Sequence, residues 1–194
     1  MNLSNTLATY LNFFRAGLLN QGQTGGIMPS QRFLIGRMIA PVPVSYGGQI
    51  IELGAGTGAL TLRLAARCPR ARVLACEINP VLARDTRECL KEAGLLGLVE
   101  VLTGPAQPLL REMGRGGIAK PDFIISGIPL ANLGVDKTHA LLDTIQQSLN
   151  QGGMYVQFQH SLLDRKHIRA RFPNLRTVPV VLNFPPAFVY YARR

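Results

Sequence analysis

Three alternating glycines, Gly54, Gly56 and Gly58, end the apolar run Gln49-Ile50-Ile51-Glu52-Leu53, and a helix-like pattern (Leu60, Leu62, Leu64, Ala65) follows them. The order reads as strand, tight turn, helix. Glycine reaches backbone angles closed to other residues and lets a ligand come close to the N–H groups of the turn. A second apolar run, Val73 to Cys76, ends in Glu77, twenty-three residues beyond Gly54. A carboxylate at that point accepts hydrogen bonds from both hydroxyls of a ribose. The pairing of turn and acid predicts a cofactor that contains a nucleoside.

Two cofactors suit the spacing. Gly54-x-Gly56-x-x-Ala59 satisfies the dinucleotide fingerprint, which keeps NAD in view. The stretch Glu52 to Gly58, ELGAGTG, more closely resembles the first motif of Rossmann-like S-adenosylmethionine (SAM) methyltransferases. In those enzymes the turn packs on the aminoacyl and ribose parts of the cofactor. Glu52, beside the turn, suits a cationic methionine end and would repel a pyrophosphate. SAM is the better reading.

The rest of the chain alternates in the same way. Strands are expected near 49–53, 72–77, 98–102, 122–126, 153–159, 176–183 and 187–192, and helices near 58–67, 80–93, 105–113, 137–149 and 164–171. Alternation of this kind gives a mostly parallel sheet covered by helices on both faces. Only Phe184-Pro185-Pro186 separates the last two runs, too little for a crossover helix, so they should form an antiparallel hairpin. The expected fold is α/β and Rossmann-like, seven-stranded, with its ligand at the carboxyl ends of the strands. A chain of 194 residues predicts one domain over 1–194, with residues 1–45 as a helical appendage.

Within that appendage, residues 2–20 read as a helix. Leu3, Leu7, Tyr10, Leu11, Phe14 and Leu18 fall on a stripe about 100° wide, suited either to a core or to a membrane interface. A second helix is expected from Gln31 to Ala40, with Ser30 as its N-cap. Gly114 to Gly117 reads as a surface loop without phosphate-binding spacing. The formal charge of +10 points to a polyanion, either nucleic acid or an anionic membrane. Cys68, Cys76 and Cys89 lack metal or redox spacing and suggest buried thiols in a reducing compartment. With no signal peptide and no apolar run long enough to span a bilayer, the expected location is cytoplasmic.

The fourth strand ends in Ser126-Gly127-Ile128-Pro129-Leu130, where a methyltransferase holds its acceptor. Base-modifying enzymes usually place Asn or Asp there, then proline and an aromatic residue. Here Ser126 and Gly127 replace the polar head and Leu130 replaces the aromatic, which argues against a flipped base. The Ile128 carbonyl is a candidate to orient a small amine. A methylated ammonium suits aromatic faces, for which Tyr10, Tyr46, Phe158 and Tyr190 are candidates. A phosphate would need a cation such as Arg165, Arg169 or Arg176. His139, His160 and His167 show no metal spacing; His160 follows the fifth strand and so could face the pocket, but an ordinary loop histidine is the better reading.

Seven segments share their order with one family: the helix 2–20, Gln23 to Ser30, Glu52 to Gly58, Glu77 to Pro80, Ser126 to Leu130, Gly152 to Phe158 and Asn183 to Tyr190. Over essentially its whole length the chain resembles the bacterial soluble phospholipid N-methyltransferases, which are themselves similar to the ribosomal RNA adenine dimethylases. The resemblance implies successive methyl transfers from SAM to the amine of phosphatidylethanolamine, giving phosphatidylcholine. An ornithine lipid is an alternative acceptor, and ribosomal RNA is the rival from another class. It implies a cofactor site of Ser30, Glu52, Gly54, Gly56, Gly58, Glu77, Ile78, Ala106 and Ser126, and an acceptor site of Ser126, Gly127 and Ile128 with Tyr10 and Tyr46. It also implies a peripheral enzyme on the inner face of an anionic membrane, with no stable nucleic-acid partner. The chain departs from the family at Gly104-Pro105-Ala106, where the pattern has Gly-Asp-Ala and the Asp takes the adenine amino group. That departure leaves a retired SAM-binding module as a further alternative.

Overall fold

A computed structural model describes residues 29–115, 120–183 and 185–194. The expected helix 2–20, with Tyr10, and most of the loop after Gly114 lie outside the described residues. The elements run α1 (Pro29–Ile39), β1 (Gln49–Leu53), α2 (Ala59–Arg67), β2 (Arg72–Glu77), α3 (Pro80–Glu92), β3 (Val99–Thr103), α4 (Ala106–Arg115) and β4 (Phe123–Ser126). They continue with a 3₁₀ turn (Leu130–Asn132), α5 (Val135–Ser148), β5 (Met154–Gln159), α6 (Arg165–Arg171), β6 (Asn174–Val180) and β7 (Ala187–Arg193).

The strands form one seven-stranded sheet in the order β3-β2-β1-β4-β5-β7-β6. The pairs from β3 across to β5 are parallel, and β7 runs antiparallel to both β5 and β6. The Rossmann-like sheet and its closing hairpin are as the sequence predicts. Chain order reverses between β1 and β4, which opens a crevice at their carboxyl ends.

Successive strand residues point to opposite faces, so one apolar strand feeds two cores. On one face Ile50, Val73, Ala75, Ile125 and Val156 pack with Leu34 and Met38 of α1, Leu64 of α2 and Leu90 of α3. On the other, Ile51, Leu53, Leu74, Ile124 and Tyr155 pack with Leu110 of α4, Leu142 and Ile145 of α5 and Ile168 of α6. The Tyr191 hydroxyl donates to the Arg37 carbonyl at 2.7 Å and ties α1 to β7. Arg171 pairs with Asp143 at 2.6 Å and ties α6 to α5, holding the Asp143 carboxyl below its usual range.

Several element ends differ from expectation, each for a local reason. Gly58 has φ +76°, a left-handed conformation that a helix excludes, so α2 begins at Ala59. The helix α1 is described from Pro29 onward, which puts Ser30 inside the helix and not at its cap. The strand β6 ends at Val180, and Val181 and Leu182 form an exposed turn. Their apolar side chains lengthened the run that reads as strand in the sequence.

Phe172, fully buried under the sheet, sits 5.7 Å from the ring of Tyr155. Phe172→Ala should cost about 3–5 kcal/mol in urea unfolding, the usual penalty for emptying a buried aromatic site. A cost below about 1 kcal/mol would mean that the α6 side of the sheet is not close-packed.

Candidate functional site

The glycine turn leaves β1 and is tied at once to β2. The Cys76 carbonyl accepts from Gly54 N at 2.8 Å and from Ala55 N at 3.0 Å. Gly54, Gly56 and Gly58 all have positive φ, which is why the sequence needs glycine there. A Cβ at Gly58 would lie 2.8 Å from the Thr86 methyl, so α3 packs against the turn as well. The Thr86 hydroxyl donates to the Gly56 carbonyl at 3.2 Å.

Glu77 is the hinge of the arrangement. Its carboxylate accepts from Gly56 N at 2.8 Å through one oxygen and from Asn79 N at 2.9 Å through the other. Two backbone bonds use about half of the four lone-pair positions of a carboxylate and leave acceptors for a diol. Asn79 caps α3, accepting from Val81 N at 2.9 Å, with Pro80 in the first turn. Ile78, between acid and cap, is 71% exposed, an apolar side chain held where a flat base can cover it. Ala106 is the first residue of α4, where helix N–H groups lack intrahelical partners. The Cys76 thiol donates to the Gly104 carbonyl at 3.1 Å; burial and the charge of Glu77 push its pKa up to about 11 and keep it protonated.

Glu52 lies beneath the turn, 2% exposed. One of its oxygens and the Thr61 hydroxyl are buried without a hydrogen-bond partner. Burial pushes its pKa up to about 7, and the charge of Glu77 adds to the rise. A buried carboxylate short of a donor suits a cationic group. Glu52, the three glycines, Glu77, Ile78 and the start of α4 thus fit the aminoacyl, ribose and base parts of SAM. Pro105 supplies no carboxylate for the adenine amino group.

The acceptor loop touches this turn directly. Gly127 N donates to the Leu53 carbonyl at 2.9 Å, and a Cβ on Gly127 would lie 3.2 Å from the Gly54 carbonyl and 3.6 Å from the Phe158 ring. Gly127, Pro129, Ala131, Asn132, Phe158, Gln159, His160 and Ser161 line a cleft of about 220 Å³ beside that contact. Glu52, the glycines, Glu77, Gly127, Ile128 and Phe158 are therefore brought together.

Other candidates are not. Tyr46 stands at the opposite, amino end of the sheet. Its hydroxyl donates to Asp122 at 2.9 Å and its ring meets Phe123 edge-on, so it braces the starts of β1 and β4. Tyr190 is fully buried and its hydroxyl donates to the Ser161 carbonyl at 3.0 Å, supporting the cleft wall from behind. Ser126 is fully buried too, its hydroxyl accepting from Ile128 N at 3.2 Å, so it shapes the loop without facing the cleft. The Ile128 carbonyl, expected to orient an amine, already accepts from Gln157 at 3.0 Å and Gln159 at 3.1 Å. Both of its lone pairs are in use. Arg176 is exposed on the edge strand β6, two strands outward from β5. Arg165 is exposed at the start of α6, on the carboxyl side. Ser30 is placed only as the second residue of α1.

Gln157 and Gln159 carry a role the sequence reading missed. Two amides at period two in an apolar strand are its signal: both are buried, and they fix the acceptor loop through one carbonyl.

Fold and site together define a Rossmann-like SAM-dependent methyltransferase. The chain belongs to the methyltransferase domain family, whose model matches residues 50–153. It is 28% identical over 169 residues to an ornithine lipid N-methyltransferase of Singulisphaera acidiphila, covering 86% of each chain. An O-methyltransferase of Bacillus cereus solved with S-adenosylhomocysteine (SAH) superposes with TM-score 0.68 at 20% identity, covering 98% of this chain and 91% of that one. The O-methyltransferase TomG of Streptomyces achromogenes, solved with SAM, gives TM-score 0.67 at 16% identity over 82% and 79%.

Glu52 has a folded pKa above its unfolded one, so protonation favours the fold. The stabilisation is full below about pH 4.5 and is lost as pH rises through about 7. Thermal or urea unfolding of the cofactor-free protein should show this loss, on the order of 3 kcal/mol. Glu52→Gln should remove it while weakening SAH binding at pH 8. A variant with wild-type pH dependence would show that Glu52 is not the titrating group.

Proposed function

We propose that the chain is a SAM-dependent N-methyltransferase of the amine headgroup of membrane lipids, acting at an anionic membrane surface. The supporting observation is the position of the cleft. Ser161 lines it, and Leu162 and Leu163 follow, the latter 75% exposed. The turn after β6 carries Val181 and Leu182, 73% and 63% exposed, at the same end of the sheet. His160 Nδ1 lies 3.0 Å from the Pro186 carbonyl and joins these two loops. Exposed Arg165, Lys166 and Arg169 come next along the chain. An apolar tip flanked by basic residues suits insertion into an anionic interface, and the formal charge of +10 adds attraction. Among the described residues no helix is long and apolar enough to cross a membrane.

The cofactor would supply an activated methyl group on a sulfonium. The protein's own part is to align the amine, free its lone pair and exclude water. Phe158 offers an aromatic face to a methylated ammonium, and the small Gly127 keeps the path between turn and cleft clear. Leu130, where a base-stacking aromatic would stand, is fully buried and has no π face to offer. That favours a lipid amine over a nucleic-acid base, since a base outside its helix needs a stacking partner worth about 1–3 kcal/mol.

The resemblance of the sequence motifs to phospholipid N-methyltransferases is the ground for phosphatidylethanolamine as acceptor. The Singulisphaera relative favours an ornithine lipid. Both present a primary amine. Labelled methyl transfer with vesicles of each lipid and with ribosomal subunits in parallel should give label in the chloroform phase alone. Gly127→Val should abolish it, because the added methyls close on the Gly54 carbonyl and the Phe158 ring. Label in ribosomal RNA and none in lipid would overturn the proposal.

A further inference from the structure

A primary or secondary amine is protonated at neutral pH and has no lone pair to offer until it loses a proton. The acceptor cleft holds a group suited to take it. Among the described residues that line the cleft, His160 alone carries a basic side chain; the rest are glycine, proline, alanine, asparagine, phenylalanine, glutamine and serine. No lysine, arginine or carboxylate is among them.

The tautomer of His160 follows from its partner. The Nδ1 atom lies 3.0 Å from the backbone carbonyl of Pro186. A carbonyl only accepts, so Nδ1 carries the proton and donates it. In the neutral ring Nε2 is then left with a free lone pair. The ring packs edge-on against Phe158, centroids 5.7 Å apart at 81°, which holds its plane. Phe158 in turn reaches to 3.6 Å from a Cβ built on Gly127, the residue that touches the glycine turn. An imidazole of fixed tautomer and orientation thus stands in the wall of the cleft next to the aromatic face suited to an ammonium.

We propose that His160 is the general base of the acceptor site, a role that rests on the lipid-amine reading above. The ammonium N–H bond breaks, an Nε2–H bond forms, and the electron pair stays on the amine nitrogen. The imidazolium, now a donor at both nitrogens, keeps its bond to the Pro186 carbonyl and returns the Nε2 proton to water through its exposed edge. Attack by the freed amine leaves a charged secondary ammonium, so each further methylation calls for one more proton transfer to the same atom. The base is needed for every round in which the acceptor still carries an N–H.

The decisive variant is His160→Asn. Its amide nitrogen can stand where Nδ1 stands and keep the bond to Pro186, but it has no basic atom. With ornithine-lipid or phosphatidylethanolamine vesicles, whichever the wild type methylates, kcat/KM should fall about 100-fold, within the usual range for a positioned proton acceptor. Added imidazole should restore part of the rate, and SAH affinity by calorimetry should stay at the wild-type value. His160→Gln, which loses the Pro186 bond, should fall as far and respond less to imidazole. Independently of turnover, ¹⁵N–¹H spectra of the ring should report Nδ1–H in the neutral protein. Wild-type rates in both variants, or a ring protonated at Nε2, would overturn the role of His160 and leave the lipid-amine reading standing. A wild type that binds SAH yet methylates no amine lipid would overturn both.

Discussion

The carboxylate of Glu77 holds the cofactor end of the molecule in shape. It is 7% exposed, at the tip of a parallel strand, and both oxygens accept from backbone N–H groups of loops on either side. One of those bonds fixes the middle glycine of the turn after β1, and the other fixes the residue that caps α3. A buried charge must be satisfied from every direction it faces. Here the backbone supplies part of that satisfaction, and a bound diol would supply the rest. The turn is thereby built before any ligand arrives.

A second constraint is the contact between the two loops that cross the switch point. Gly54 and Gly127 approach so closely that a side chain on either would push the loops apart. Behind them, Tyr155 bonds to Gln157, and Gln157 and Gln159 bond to the Ile128 carbonyl. This buried chain of amides fixes the acceptor loop from the α5–α6 side, while Phe158 and His160 present their rings to the cleft. Scaffold and reactive surface thus alternate along one strand, as the period of two requires.

The fold was legible because its strands are apolar runs of ordinary length bounded by glycine and proline, and because a three-residue gap forces a hairpin. The overrun at Val181-Leu182 arose because an apolar tip exposed to solvent has the same pattern as a strand end. The glycine turn was legible because positive φ at three alternating positions leaves only glycine as a comfortable choice. The acceptor side was harder. Tyr46 precedes β1, which is enough to place it at the amino end, where its ring and hydroxyl serve packing and Asp122. For Tyr190 and Ser126, residue type suggested reactivity while burial made them supports, and no spacing in the sequence separates those two uses. The partner of His160 is a carbonyl twenty-six residues away, visible only once the two loops are placed together.

The most direct test of the account is a calorimetric titration of the wild type and Glu77→Gln with SAH. The amide keeps the shape of the side chain and can still accept one backbone bond, but it replaces the remaining acceptor with a donor and removes the charge. Hydrogen bonds to a charged group are worth about 1.5–3 kcal/mol, so affinity should fall about ten- to a hundredfold while the folded spectrum persists. Equal affinity in the two proteins would contradict the central claim that this carboxylate receives the ribose.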